Sequence, residues 1–510
     1  MQKGIDVKLN VRPIYIGLIH QHVFEGPCRF GGGEELSTEF EQMMNKELNK
    51  DFVDDVTKHL SIKEINLLEP IYVERYEDFL SPESMFEAMA KDITNVDLYL
   101  IGLEIARGDI VVEFANRTKK PIAIVPENCC MIGDCVPPMR TRGLEAYGYL
   151  TWEQGIKHMK ALRVRKVLHN TNVLLAPRMN SNNSMASDAT FYSLNQVTDE
   201  LGPRFRYVSA HEVLDQTHVV DKPGDNPTMP GRTTQVYNIN AQDMKEIDKI
   251  TDDLIKGAKT CEMTRENVML SVKAWYTVKK LLDVHDCNAY SMPCPDVCAT
   301  RRLNEEKITF CLCHSLNNEL GIPSACEYDI GALIAMQILL NFSGTAAYVG
   351  NTNPLLYKDG VALPRRVVTE KDLEKIKNEQ NLYFTFHSTP NRKLKGLDKP
   401  NADYSIQPFA RSGFGATLRY DFAQDYGQPI TMCRFSPDCK KLFIGKGIIK
   451  GGCGYDEQNC SLGVIFQVAD QAEFFNKQIN FGNHMPLVYG DHSEGLALLA
   501  DALKVEAVIA

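Results

Sequence analysis

The feature that most constrains this chain is a change of rhythm near Thr345. Before it, short apolar runs such as "RPIYIGLI", "VDLYLIGLEI" and "KPIAIVPE" alternate with helical stretches such as "STEFEQMMNKELNKDF" and "MFEAMAKDI". Ser37 stands where a helix N-cap is wanted. Strands alternating with helices predict a parallel sheet with helices on both faces. After Thr345 few helices intervene. "NLYFTFHST", "GATLRYDF", "PITMCRFS", "KLFIGKGIIK" and "LGVIFQV" are short strands parted by turn signals, which predicts an antiparallel sheet or barrel. A chain of 510 residues is too long for one compact core. The expected fold is therefore α/β: two Rossmann-like, doubly wound domains at 1–165 and 166–345, then a β-rich, barrel-like C-terminal domain at 346–510.

Within the second domain, "VLLAP", "RFRYVSA", "NAYSMPC" and "PSACEYD" read as strands, and Ala241 to Val284 as long helices. The polar, Pro- and Gly-rich stretch 216–240 reads as a loop excursion.

The formal charge of -10, with no long basic run, excludes nucleic acid as the main partner. It also opposes binding to anionic membranes. No window has the length and apolarity of a transmembrane helix. The N-terminal apolar run fits a strand better than a secretory signal. Fifteen cysteines, scattered and odd in number, do not form a disulfide framework. A cytoplasmic, reduced protein is the expectation.

Ligand sites in open α/β sheets lie at the carboxyl ends of strands. Glu327 in "SACEYD" and Asp296 in "MPCPD" each stand at such an end. Two carboxylates can hold a hard divalent ion and move protons. On an extended strand Glu327 and Asp329 share a face, while Asp329, just before "IGALIAMQILL", also reads as a helix cap. His484 lies on a loop before an apolar strand, and His387 at a strand end. Cys294, Cys298, Cys311, Cys313 and Cys326 show C-x3-C and C-x-C spacings without C-x2-C pairs, so small buried hydrophobes describe them better than a metal cluster. The Gly-rich loop "RFGGGEEL" matches neither G-x-G-x-x-G nor a P-loop.

The stretch "GIPSACEYDIGALIAMQILLNFSGTAAYVGN" resembles a segment of the L-fucose isomerase and L-arabinose isomerase superfamily, in which an "EGD" or "END" type motif ends a strand. "NFGNHMPLVYGDHSEGLALLADALKVEAV" is similar to that family's closing segment. The resemblance is strongest from about Asn288 onward. It implies a metal-dependent aldose–ketose isomerase working through a cis-enediol. Glu327 matches the second carboxylate and His484 the histidine of the metal site. Asp296 is the first carboxylate, with Glu305 and Glu306 as competitors. Asp329 either caps its helix or reaches the metal. The implied ion is Mn²⁺, with Mg²⁺ or Co²⁺ as substitutes. Asn483, His387, Arg29 and Arg140 are the implied substrate contacts. A homo-oligomer, a trimer or hexamer with sites near subunit interfaces, is also implied. A neutral deoxy sugar and an anionic 6-sulfo sugar such as sulfoquinovose both remain open. The alternative is a non-catalytic sugar-binding or regulatory protein on the same scaffold.

Overall fold

A computed structural model describes residues 1–20, 37–76, 82–103, 108–178, 193–220, 238–298, 300–358, 361–363 and 367–510. Arg29 and its Gly-rich loop lie outside the described residues, as does most of the 216–240 excursion. The chain forms two compact units, Val7–Arg163 and a larger one made of Met1–Asp6 with Val164–Ala510. The fold is mixed α/β with parallel sheets and a closed antiparallel barrel at the C-terminal end.

In the smaller unit, strand Leu9–Ile19 pairs in parallel with Ile65–Leu67, Ile71–Tyr76 and Leu98–Gly102. The sheet continues through Ile122–Ile124 to Ala146–Tyr147. Helix Thr38–Leu60 begins as the sequence suggests, with the Ser37 side chain accepting from the Phe40 amide. Helix Gly108–Thr118 buries Ile110, Val111, Phe114 and Ala115. That spacing puts one apolar stripe toward the sheet. Full burial of a side chain such as Phe114 contributes about 2–3 kcal/mol.

The larger unit opens with a second parallel sheet, in which Asn172–Leu175 lies between Arg204–Tyr207 and Ala289–Ser291. Ser324–Ala325 is added on the far side of Ala289–Ser291. Both strands bearing the candidate acids are shorter than expected. Ala289–Ser291 stops at Ser291, and Cys294–Cys298 is a helical turn. Pro295 in its first turn explains this, since proline lacks an amide for a ladder and favours a helix start. Asp296 therefore sits in that turn and not at a strand end.

Helix Ile330–Ser343 follows, with every residue from Ile330 to Leu340 buried. A helix apolar all round must be surrounded by protein. It ends at Gly344, whose φ of 68° suits a left-handed cap. This helix packs against barrel strands Pro429–Phe435 and His484–Tyr489. The barrel closes as a ring, each pair antiparallel, through Pro429–Phe435, His484–Tyr489, Tyr348–Pro354, Leu382–His387, Leu462–Gln467 and Lys441–Cys453. Tyr383, Phe443, Phe466 and Phe474 fill one core of this region. At Gly350 a Cβ would stand 2.5 Å from the Phe386 carbonyl oxygen, so only glycine permits that approach between neighbouring strands. Among the described residues no helix is long and apolar enough to cross a membrane.

Candidate functional site

The site begins where Ser324–Ala325 runs out. Glu327 and Tyr328 both have a φ of 61°, in the left-handed region that non-glycine residues enter at a cost of about 1–3 kcal/mol each. The expected extended strand through Asp329 is thus replaced by a tight turn. Tyr328 donates its amide to the Met292 carbonyl at 3.0 Å. The turn separates the two acids. Asp329 is fully buried, whereas Glu327 keeps partial exposure.

Asp329 performs three tasks. Its Oδ1 accepts the Ala332 amide at 2.8 Å, capping the apolar helix. Arg434, also fully buried, clamps both carboxylate oxygens at 2.9 Å. His484 Nδ1 lies 3.0 Å from Oδ2. Burial alone would raise the Asp329 pKa, but the Arg434 charge and the His484 hydrogen bond hold it below the ordinary value. Gly331 makes room for this clamp, since a Cβ there would sit 2.8 Å from Arg434 Nη2.

The two histidines arrive from the barrel. Asn351 is in register with Phe386 on one side and with His484 on the other. The His387 and His484 rings consequently stand 5.6 Å apart at 75°. Both present Nε2 to Glu327: His387 at 3.2 Å from Oε1, His484 at 3.6 Å from Oε2. Their tautomers differ. His387 Nδ1 accepts the Ser388 amide at 3.0 Å, so a neutral His387 carries its proton on Nε2 and donates it to Glu327. His484 gives its Nδ1 proton to Asp329, which leaves the Nε2 lone pair facing Glu327. That Nε2 is buried without a hydrogen-bond partner. A lone pair facing a carboxylate needs a positive charge between them. Burial would lower the His484 pKa, but the Asp329 hydrogen bond and the charges of Asp329 and Glu327 raise it. A proton can meet that demand, and so can a metal ion. The Asp329–His484 pair has the form of a carboxylate orienting a metal-ligating imidazole.

The structure brings Glu327, His484 and His387 together. Asn483 is close in the chain and donates to Asn351 Oδ1 at 2.6 Å. Asp296 is half-buried, and its carbonyl accepts from Arg178 at 3.2 Å. It joins neither close group of metal-donor atoms found among the described residues. Glu305 is exposed, and Glu306 pairs with Arg302 and His218. Arg140 is exposed in the smaller unit and donates to the Ala146 carbonyl. Cysteines line the site instead. Cys294 and Cys326 with Glu327 form one donor group, and Glu327, His387 and Cys460 another. Cys313 lies elsewhere, bonded by Asn317. Arg434 and Cys460 escape a reading of the sequence. A lone arginine inside the apolar strand "ITMCRF" is the signal that marks the first, and nothing marks the second.

Below the site, His314 is fully buried, donates to or accepts from Ser324 Oγ at 2.8 Å and stacks on Tyr290. Burial, assisted by His387, pushes its pKa down to about 3. The unfolded chain takes up this proton near pH 6.5, while the folded chain refuses it until about pH 3. Stability is therefore expected to fall with pH through that window, by up to about 1.4 kcal/mol per unit from this residue. In urea titrations between pH 6.5 and 5, His314→Gln should flatten the slope. An unchanged slope refutes the assignment.

No protein-family model matches the chain, and no curated protein matches it in sequence.

Proposed function

We propose that the protein is a metal-dependent aldose–ketose isomerase. The observation that carries this reading is the buried, unpartnered Nε2 of His484, aimed at Glu327 and oriented from behind by Asp329. Glu327 and His484 would hold a divalent cation, with O and N donors that suit Mn²⁺, Mg²⁺ or Co²⁺. When bound, such an ion polarises a substrate carbonyl and stabilises the negative charge that develops on its oxygen.

The protein's own groups do the rest. Glu327 Oε2 faces His484, and Oε1 accepts a hydrogen bond from His387 Nε2. Oε1 is the oxygen that would take the proton from C2 and return it at C1 through a cis-enediol. His387 would orient that carboxylate. Asp296, the expected first carboxylate, would stand apart from this pair, so proton transfer falls to Glu327. On this reading the two parallel sheets belong to the two doubly wound domains that the resemblance implies.

A cavity of about 1130 Å³ has Cys460, a member of the Glu327–His387 donor group, in its wall and is otherwise lined by Gln407, Asn459, Arg411, Glu262, Asp456 and Glu457 among others. Its polarity suits a polyhydroxyl ligand. Three carboxylates against one guanidinium favour a neutral sugar over an anionic 6-sulfo sugar.

The test is dialysis against a chelator, return of Mn²⁺, and a panel of aldoses in deuterated water. Deuterium entering at C2 only with metal present is the expected result. Sugar binding without exchange across the panel would instead establish the non-catalytic binding protein.

A further inference from the structure

The carboxylate that faces the imidazoles also faces sulfur. Ser291 and Ala325 are in register on adjacent parallel strands. Each strand delivers a thiol shortly beyond that pair. Cys326 follows Ala325 directly, and Cys294 opens the helical turn after Ser291. The Cys294 and Cys326 sulfurs and a Glu327 oxygen all lie within 4.8 Å of one another. Cys326 Sγ is also 3.2 Å from His387 Nε2.

We propose that Cys294, Cys326 and Glu327 form a site for a thiophilic divalent cation, Zn²⁺, distinct in donor set from the O/N pair of Glu327 and His484. The geometry is close to what zinc needs. Zinc–sulfur bonds near 2.3 Å and zinc–oxygen bonds near 2.0–2.2 Å put the donors around one ion roughly 3.3–3.8 Å apart. Small side-chain movements close the triangle to that size. Three protein ligands leave a fourth position open. Thiolate donors favour zinc over the harder manganese and magnesium ions. Both thiols pass their protons to solvent as the ion binds, so uptake releases roughly two protons per ion. Because Glu327 serves both donor sets, zinc would compete with the ion of the proposed isomerase. Only this competition rests on the isomerase reading.

The experiment uses the full chain, freed of metal and given one equivalent of Zn²⁺, with X-ray absorption at the zinc edge. The expected shell holds about two sulfur atoms at roughly 2.3 Å. Cys294→Ser and Cys326→Ser should each lose one of them. The exposed neighbours Cys129 and Cys130 are the obvious rival ligands, and Cys129→Ser/Cys130→Ser should keep the whole shell. A shell of nitrogen and oxygen only overturns the proposal, as does loss of sulfur in that surface variant. The two readings fail separately. A sulfur shell without Mn²⁺-dependent exchange removes the isomerase and keeps the zinc site. Exchange with a sulfur-free zinc shell does the reverse.

Discussion

Glu327→Gln is expected to abolish metal-dependent proton exchange while leaving the far-ultraviolet circular dichroism unchanged. The substitution keeps the shape and removes the charge. Glutamine cannot accept a proton from carbon, and positioned acid–base groups typically contribute about 10²–10⁴-fold. It also withdraws the negative charge that faces His484 Nε2 and so weakens metal retention. Both losses act on one residue, so the fall in kcat/KM should exceed about 10³-fold. Stability should change little or rise, because a partly buried carboxylate is removed from a strained turn. His387→Gln offers a graded comparison. It retains a donor for Glu327 Oε1 without the imidazole, so a smaller loss is expected. If Glu327→Gln keeps substantial turnover with Mn²⁺ present, Glu327 is not the base and the isomerase mechanism fails.

What could be read from the chain depended on how local the determinant was. The alternation before Thr345 and the strand-rich pattern after it are local periodicities. The mixed α/β fold with its C-terminal barrel agrees with them. The cap at Asp329 was legible for the same reason. Helix Ile330–Ser343 announces its own start. The geometry of Glu327 was not. Two consecutive non-glycine residues at positive φ contradict every local preference, and tertiary contacts alone hold them there. Such disagreement between local rule and structure is where functional sites concentrate. Asp296 leaves the strand end because Pro295 starts a helical turn there. Arg434 lies 105 residues from Asp329, and the thiol pair joins Cys294 to Cys326 across two strands. Neither spacing carries a signal in one sequence, since register between distant strands brings them together.

Arg434→Met is expected to destabilise the larger unit by about 3–5 kcal/mol, the typical cost of leaving one member of a buried ion pair alone. Asp329 and Arg434 are fully buried, so no solvent compensates the carboxylate once the guanidinium is gone. The pKa of Asp329 is held down partly by that guanidinium, and removing it lets the value rise. The stability that the depressed pKa supplies above the ordinary aspartate range is then lost, so the variant's deficit should be full at neutral pH and shrink as pH falls far enough to protonate the carboxylate. Arg434→Met/Asp329→Asn separates charge from packing. Asparagine still caps the helix through the Ala332 amide and brings no charge, so the double variant should recover part of the loss in urea midpoint. Recovery of stability need not mean recovery of function. Without the Asp329 carboxylate the His484 tautomer is no longer fixed, and removing such an orienting partner typically costs about 10–100-fold in metal affinity. A folded double variant that binds Mn²⁺ weakly would show that one carboxylate links the barrel, the helix and the site. An Arg434→Met protein within about 1 kcal/mol of wild type would show instead that the Ala332 amide and His484 satisfy Asp329 without the guanidinium, and the clamp would then have no structural role.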